Sequence, residues 1–179
     1  LNRGGTRLPS HCDMNRTPGI DMTTGSLGQG ISTAIGWTLA RRLDKSEGRT
    51  FLILGDGETE EGQVWEGAMA AAHYRLDGLI AFIDHNKLQS DGAVKEVMDP
   101  GDLEGKSKSF GWAVQRCDGH DLEKMDGAIE KALKEKERPS MIILDTIKAK
   151  GLSAFEGKVE SHNMPFTMEM YEAHKLEKR

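Results

Sequence analysis

Apolar residues along this chain gather in continuous runs rather than in strict alternation: Thr50-Phe51-Leu52-Ile53-Leu54, Leu79-Ile80-Ala81-Phe82-Ile83 and Met141-Ile142-Ile143-Leu144. Such runs predict the strands of a parallel sheet covered on both faces. Trp112-Ala113-Val114-Gln115 predicts a shorter fourth strand. Between the runs the apolar period lengthens to that of a helix. Residues 27–43 carry Ile31, Ile35 and Leu39 on one stripe, and Val64, Trp65, Ala68, Met69 and Ala72 form a second. Leu122, Met125, Ile129 and Leu133 form a third, which Pro139 stops. Strand alternates with helix, so the expected fold class is α/β: an open, mostly parallel sheet with helices on both faces. The charged segment 167–179 is helix-compatible and is expected on the surface or against a partner.

With 179 residues the chain is expected to form one domain over 1–179 with a real core. It starts at Leu1 and opens on a turn-rich stretch, 2–18, so an N-terminal portion of a larger protein is expected to precede it. A net charge of −5 excludes a general nucleic-acid binder, whose phosphate contacts require a basic face. No apolar run reaches the length of a membrane span and no signal sequence is visible, so a cytoplasmic protein is expected. Cys12 and Cys117 are read as reduced thiols. The 21 glycines fall in short clusters beside apolar runs, which predicts tight turns around a ligand.

Ligands of open α/β sheets sit beyond the carboxyl ends of the strands. Asp56 follows the first strand directly, and Asn86 follows the second by three residues. The thirty positions from Asp56 to Asn86 hold one turn, one helix and one strand, the content of a single βαβ step. That step brings a carboxylate and an amide oxygen to one sheet edge. Mg²⁺ takes a small octahedral set of hard oxygens, few of them from protein. Asp56, Asn86 and the Leu88 carbonyl would leave room for two diphosphate oxygens, and Gly57 would let backbone N–H groups approach them. A helix starting near Glu61 would aim its positive end at the anion. Any one piece also has a plainer reading: Gly-Asp-Gly as a common turn, and Glu58, Glu60 and Glu61 as acids complementing a helix dipole.

Taken together, Gly55-Asp56-Gly57, Glu61-Gly62 and Asn86 resemble the thiamine diphosphate motif of the transketolase family. Asp21-Met22-Thr23-Thr24-Gly25-Ser26-Leu27-Gly28-Gln29-Gly30, Asp118-Gly119-His120-Asp121 and Thr146-Ile147-Lys148-Ala149-Lys150-Gly151 fall at family-like positions as well. The likeness is to the N-terminal, diphosphate-binding subunit of split transketolases. It implies Mg²⁺ on Asp56, Asn86 and Leu88, and thiamine diphosphate against Gly25, Ser26, Leu27, Gly55, Gly57, Glu61, Asn86 and His162. It implies catalytic roles for His11, toward the donor's hydroxyl groups, and for His162, near the diphosphate and the substrate carbonyl. Glu61 matches a glutamate at the dimer interface.

The activity implied is transfer of a two-carbon ketol unit from a ketose phosphate to an aldose phosphate in carbohydrate metabolism, such as the pentose phosphates. The glutamate that activates the cofactor belongs to a pyrimidine-binding domain, so an α2β2 heterotetramer with a C-terminal transketolase subunit is expected. Ser10-His11-Cys12, Ser26 and His162-Asn163 depart from the common family pattern near the substrate channel, which leaves the sugar open. His73 and His174 are read as structural or exposed, His85 as pointing into the fold, and His120 as ordering the turn before its helix.

Other thiamine diphosphate enzymes remain as alternatives, namely a 2-oxo-acid dehydrogenase α-subunit or a deoxyxylulose-phosphate synthase. So does a non-catalytic assembly subunit of the same fold. A Mg²⁺-dependent nucleotide binder is disfavoured, because no Gly-x-x-x-x-Gly-Lys loop occurs.

Overall fold

The computed structural model describes residues 5–164 and 167–177; residues 2–4 of the expected opening stretch, and 178–179 of the tail, lie outside it. In chain order the elements are α1 (Gln29–Leu43), β1 (Thr50–Gly55), a 3-10 turn (Gly57–Glu60), α2 (Gly62–His73) and β2 (Leu79–His85). A small hairpin follows, β3 (Leu88–Gln89) and β4 (Gly92–Ala93), then α3 (Val94–Met98), α4 (Leu103–Ser109), β5 (Ala113–Asp118) and α5 (Leu122–Lys134). The chain then runs through β6 (Ser140–Asp145), a second 3-10 turn (Val159–Asn163) and α6 (Met168–Glu177).

The three strongest apolar runs and the weaker fourth form one parallel sheet in the order β1-β2-β6-β5. The fourth strand extends further than its apolar part, to Asp118, because pairing to β6 carries the backbone on after the apolar residues end. Leu52, Leu54, Ala81, Ile83, Met141 and Ile143 face α1, α2 and α4, where Ile31, Ile35, Val64, Ala68 and Leu103 complete the larger core. On the opposite face Ile80, Phe82 and Ile142 meet Ala128 and Ala132 of α5. Leu54, Ile83 and Ile143 are at most 1% exposed, and burying each such side chain contributes about 1.5–3 kcal/mol. Helices therefore do lie on both faces.

Three details of the periodicity differ in the structure. Leu122 is 79% exposed and Met69 51% exposed, because the helices press on the sheet along their small residues, Ala128 and Ala132 in α5 and Gly67, Ala68 and Ala71 in α2. The first helix begins at Gln29, since Gly28 holds the left-handed backbone of its N-cap (φ 78°). Finally, β1 is covered on one face only. α5 packs on β5 and β6, so Phe51 and Ile53 on that face are 55% and 74% exposed.

Close approach of α1 to α2 depends on Gly67, where a Cβ would lie 2.8 Å from Ile31 Cγ2. Ile31 is fully buried and cannot step aside. Alanine here would gain about 1 kcal/mol of helix propensity against an overpacking cost of about 1–3 kcal/mol. Gly67→Ala is therefore expected to lower the urea midpoint of unfolding, and a raised midpoint would contradict the packing account.

Candidate functional site

The carboxyl ends of β1 and β2 meet as the sequence spacing required. Gly55 pairs with Asp84 in the ladder, and Asp56 N–H donates to the Asp84 carbonyl at 3.2 Å, one step beyond it. The Asp56 side chain is 2% exposed. Its Oδ1 accepts from Gly57 N–H at 2.9 Å and its Oδ2 from Lys87 N–H. Lys87 takes a left-handed backbone (φ 68°), which turns that N–H onto Asp56 and sets Asn86 and Leu88 on either side of it. Burial pushes the Asp56 carboxyl up from its ordinary range, opposed by the two N–H bonds and by His85 and reinforced by the charge of Asp84. Among the described residues no three His, Cys, Asp or Glu side chains converge. The donors gathered here are one carboxylate, the Asn86 amide oxygen and backbone carbonyls, a hard-oxygen set that fits Mg²⁺ sharing its shell with a phosphate.

Gly57 also meets a local constraint. Its N–H is turned to Asp56, and a Cβ at this position would meet Gln89 Oε1 at 2.5 Å. The acids Glu58, Glu60 and Glu61 take three different environments. Glu58 reaches away from Asp56 and takes Gly28 N–H at 2.9 Å and Gly55 N–H at 3.1 Å, so it serves the N-terminus of α1. Glu61 is the N-cap residue of α2 and is exposed. Glu60 Oε1 is buried without a hydrogen-bond partner among the described residues.

Next to these strand ends lies a cleft of about 1250 Å³, lined by His11, Gly25, Ser26, Leu27, Glu58, Ser90, His162 and Asn163, with Trp37, Phe51 and Ile53 as its apolar wall. Loop 10–14 is tied to loop 21–27 by Thr24 N–H to the Cys12 carbonyl (3.1 Å) and by Met14 N–H to Thr23 Oγ1 (3.2 Å). That places His11 against Gly25, where φ is 140° and a Cβ would lie 2.6 Å from the His11 ring. His162 sits on the second 3-10 turn. Its pKa is lowered by burial and by the Lys148 cation, with Asp91 opposing. The cleft thus gathers His11, Gly25, Ser26, Leu27 and His162. Gly55, Asp56, Gly57, Glu61, Asn86 and Leu88 do not line it; Glu58, which lines the cleft and accepts from Gly55 N–H, joins the two groups.

Asp84, Arg116 and Asp145, which sequence reasoning did not single out, hold this edge of the sheet together with His85. His85 is half-buried rather than aimed into the core, with Nδ1 3.1 Å from Asp145 Oδ1 and 3.2 Å from Arg116 Nη2. Arg116 grips Asp145 through Nε (2.8 Å) and Nη2 (2.6 Å). On the other face of β2, Asp84 accepts from Thr146 and from Asn86. His120 Nε2 accepts from Ile147 N–H at 2.7 Å, fastening the loop after β6 in addition to its own turn. His73 lies exposed against Tyr74, and His174 is half-buried. Both cysteines are free thiols. No sequence period could have revealed the Arg116–Asp145 pair, although both residues break apolar strands with a charge near the carboxyl end.

Residues 2–177 match the family model for the transketolase thiamine diphosphate binding domain. The 6-deoxy-6-sulfo-D-fructose transketolase subunit SqwG of Clostridium sp. (strain MSTE9) is 55% identical over 97% of this chain. An apulose-4-phosphate transketolase subunit from Phocaeicola vulgatus is 36% identical over 96% of it. The chain spans 63% and 61% of the lengths of those two relatives. Transketolase from Campylobacter jejuni superposes with a TM-score of 0.88 at 29% identity, over 99% of this chain and 29% of that one. Among the described residues no helix is long and apolar enough to cross a membrane.

The Arg116 guanidinium holds the Asp145 carboxyl at a pKa of about 2, below the ordinary ~3.9. A carboxyl depressed in the folded state contributes stability that is full above about pH 4 and is lost as the pH falls toward 2. Both side chains are 40% exposed, so solvent screens the pair. Arg116→Gln should raise the Asp145 pKa toward its ordinary value in a carboxyl NMR titration; an unchanged value would refute the clamp.

Proposed function

Because the chain belongs to the transketolase thiamine diphosphate-binding family, we propose that it is the diphosphate-binding subunit of a two-polypeptide transketolase. It would work in the cytoplasm, in an α2β2 complex that pairs it with its own second copy across the cofactor interface and with a C-terminal, pyrimidine-domain subunit. The observation that carries this reading is the buried Asp56 carboxylate, whose hydrogen-bond partners among the described residues are backbone N–H groups, with Asn86 beside it at the end of the neighbouring strand. A buried anion without a cationic partner calls for a cation.

In this reading Asp56, the Asn86 amide oxygen and the Leu88 carbonyl hold Mg²⁺, which with Gly55 and Gly57 anchors the diphosphate. Bound thiamine diphosphate supplies the electron sink that lets a carbon–carbon bond of a ketose break. Gly25, Ser26 and Leu27 line the cofactor's ring side, and the apolar wall of Trp37, Phe51 and Ile53 excludes water from that part of the cleft. His11 hydrogen-bonds hydroxyl groups of the donor. His162, whose pKa is held below the ordinary histidine value by partial burial and by the Lys148 cation, presents a ring nitrogen to the substrate carbonyl. Glu61 sits at the interface between the two copies.

The 55% identity to SqwG points to a 6-deoxy-6-sulfo ketose as donor. Its two-carbon ketol unit would pass to an aldose phosphate, leaving a sulfo-aldose two carbons shorter.

Two measurements test this on the full chain with its partner subunit. Asp56→Asn and Asn86→Ala are each expected to lower Mg²⁺-dependent thiamine diphosphate affinity by more than about a hundredfold in calorimetry, beyond the cost of losing an outer partner. Unchanged affinity in both would refute the metal site. Incubation with 6-deoxy-6-sulfo-fructose and an aldose phosphate should give the shortened sulfo-aldose; decarboxylation of 2-oxo acids without ketol transfer would overturn the activity.

A further inference from the structure

We infer that Asp84, steered by Thr146, is the positioning residue that decides which end of the Asn86 amide faces the bound cation, an inference that rests on the metal role proposed above. An asparagine amide turned by half a rotation presents NH₂ where its oxygen was, and only the oxygen can ligate a metal. Two neighbours of fixed polarity remove that ambiguity. The Asp84 carboxylate, an acceptor, takes Asn86 Nδ2–H at 3.1 Å. The Leu88 N–H, a donor, points at Asn86 Oδ1 at 3.0 Å. That bond uses one lone pair of Oδ1 and leaves the other for a cation.

Asp84 is itself held. Its second oxygen accepts from the Thr146 hydroxyl, which reaches over from the residue just after β6. The register places Asp84 opposite Leu144 and His85 opposite Asp145, and Thr146 N–H continues the pairing to the His85 carbonyl at 3.4 Å. The Asp84 carboxylate that orients the Asn86 amide is therefore itself held from the segment just after β6, which carries none of the proposed ligands. Without a cation the Asp84 field works against the buried Asp56 carboxylate, whereas its polarity toward the Asn86 amide has the right sign with or without one. Thr146 and Asn86 each engage one of the Asp84 oxygens, which fixes the plane of the carboxylate against the Asn86 amide.

The test, on the full chain with its partner subunit, reads the Mg²⁺ concentration that gives half-maximal thiamine diphosphate binding, alongside the thermal midpoint of the cofactor-free complex. Asp84→Ala should raise the Mg²⁺ requirement by about 10–100-fold, and Thr146→Val by about tenfold. Thr146→Ser, which keeps the hydroxyl, should restore it. Asp84→Asn should stay within about threefold of wild type, because its oxygen can still accept from Asn86 while its NH₂ faces the Thr146 oxygen. If Asp84→Ala fails to fold, the Thr146 pair decides. A loss in Asp84→Asn as deep as in Asp84→Ala, with Thr146→Val neutral, would make Asp84 a direct ligand and overturn the inference. So would a lowered thermal midpoint in Thr146→Val with an unchanged Mg²⁺ requirement. A wild-type complex that binds the cofactor without Mg²⁺ dependence would remove the metal reading and this inference with it. Wild-type Mg²⁺ dependence with all variants unchanged would remove the inference alone.

Discussion

The burial of one carboxylate between the ends of two parallel strands organises this molecule. Asp56 is nearly inaccessible and, among the described residues, has no cationic side chain as a hydrogen-bond partner, so backbone N–H groups must meet it. Meeting it costs conformational freedom nearby. Lys87 adopts a left-handed backbone to deliver its N–H, and that turn fixes where Asn86 and Leu88 stand. On the other side the Asp56 carbonyl accepts from Thr59 Oγ1 (2.6 Å), and the Thr59 carbonyl accepts from Trp65 Nε1 (2.8 Å). The start of α2 is thereby fastened to the same point. One unfavourable burial thus orders two loops and a helix, which is the rigidity an ion site requires.

Around that charge the molecule manages its other acids one at a time. Glu58 is met by the backbone N–H groups of Gly28, before α1, and of Gly55, at the end of β1, Asp84 by a hydroxyl and an amide, and Asp145 by a guanidinium. Each device has a different reach and a different sensitivity to salt. The Arg116–Asp145 pair is open to water and screened, whereas Asp56 is sheltered and keeps most of its field. Of these carboxylates Asp56 is the one most sheltered from water.

The cleft beside it has a different character. Its wall includes Phe51 and Ile53, apolar residues of a strand covered on one face only. An apolar wall next to a buried carboxylate separates a region suited to an organic ring from one suited to a charged oxygen shell, which is the division that the proposed cofactor presents.

The sequence by itself determined the α/β fold and the meeting of Asp56 with Asn86. Continuous apolar runs identify parallel strands, and a single βαβ step leaves adjacent strand ends no alternative to meeting. It did not determine which side chains the helices bury: Leu122 and Met69 belong to apolar stripes yet stay exposed, because the sheet selects the small residues that allow close approach. Nor did it reveal the partners of the charges. Glu58 reaches thirty positions back to Gly28, Arg116 twenty-nine ahead to Asp145, and Thr146 sixty-two back to Asp84. Periodicity records how each segment faces its own core, a local property that repeats along the chain. Charge pairing at a strand end is decided by which segments the register brings side by side, and only the tertiary structure sets that.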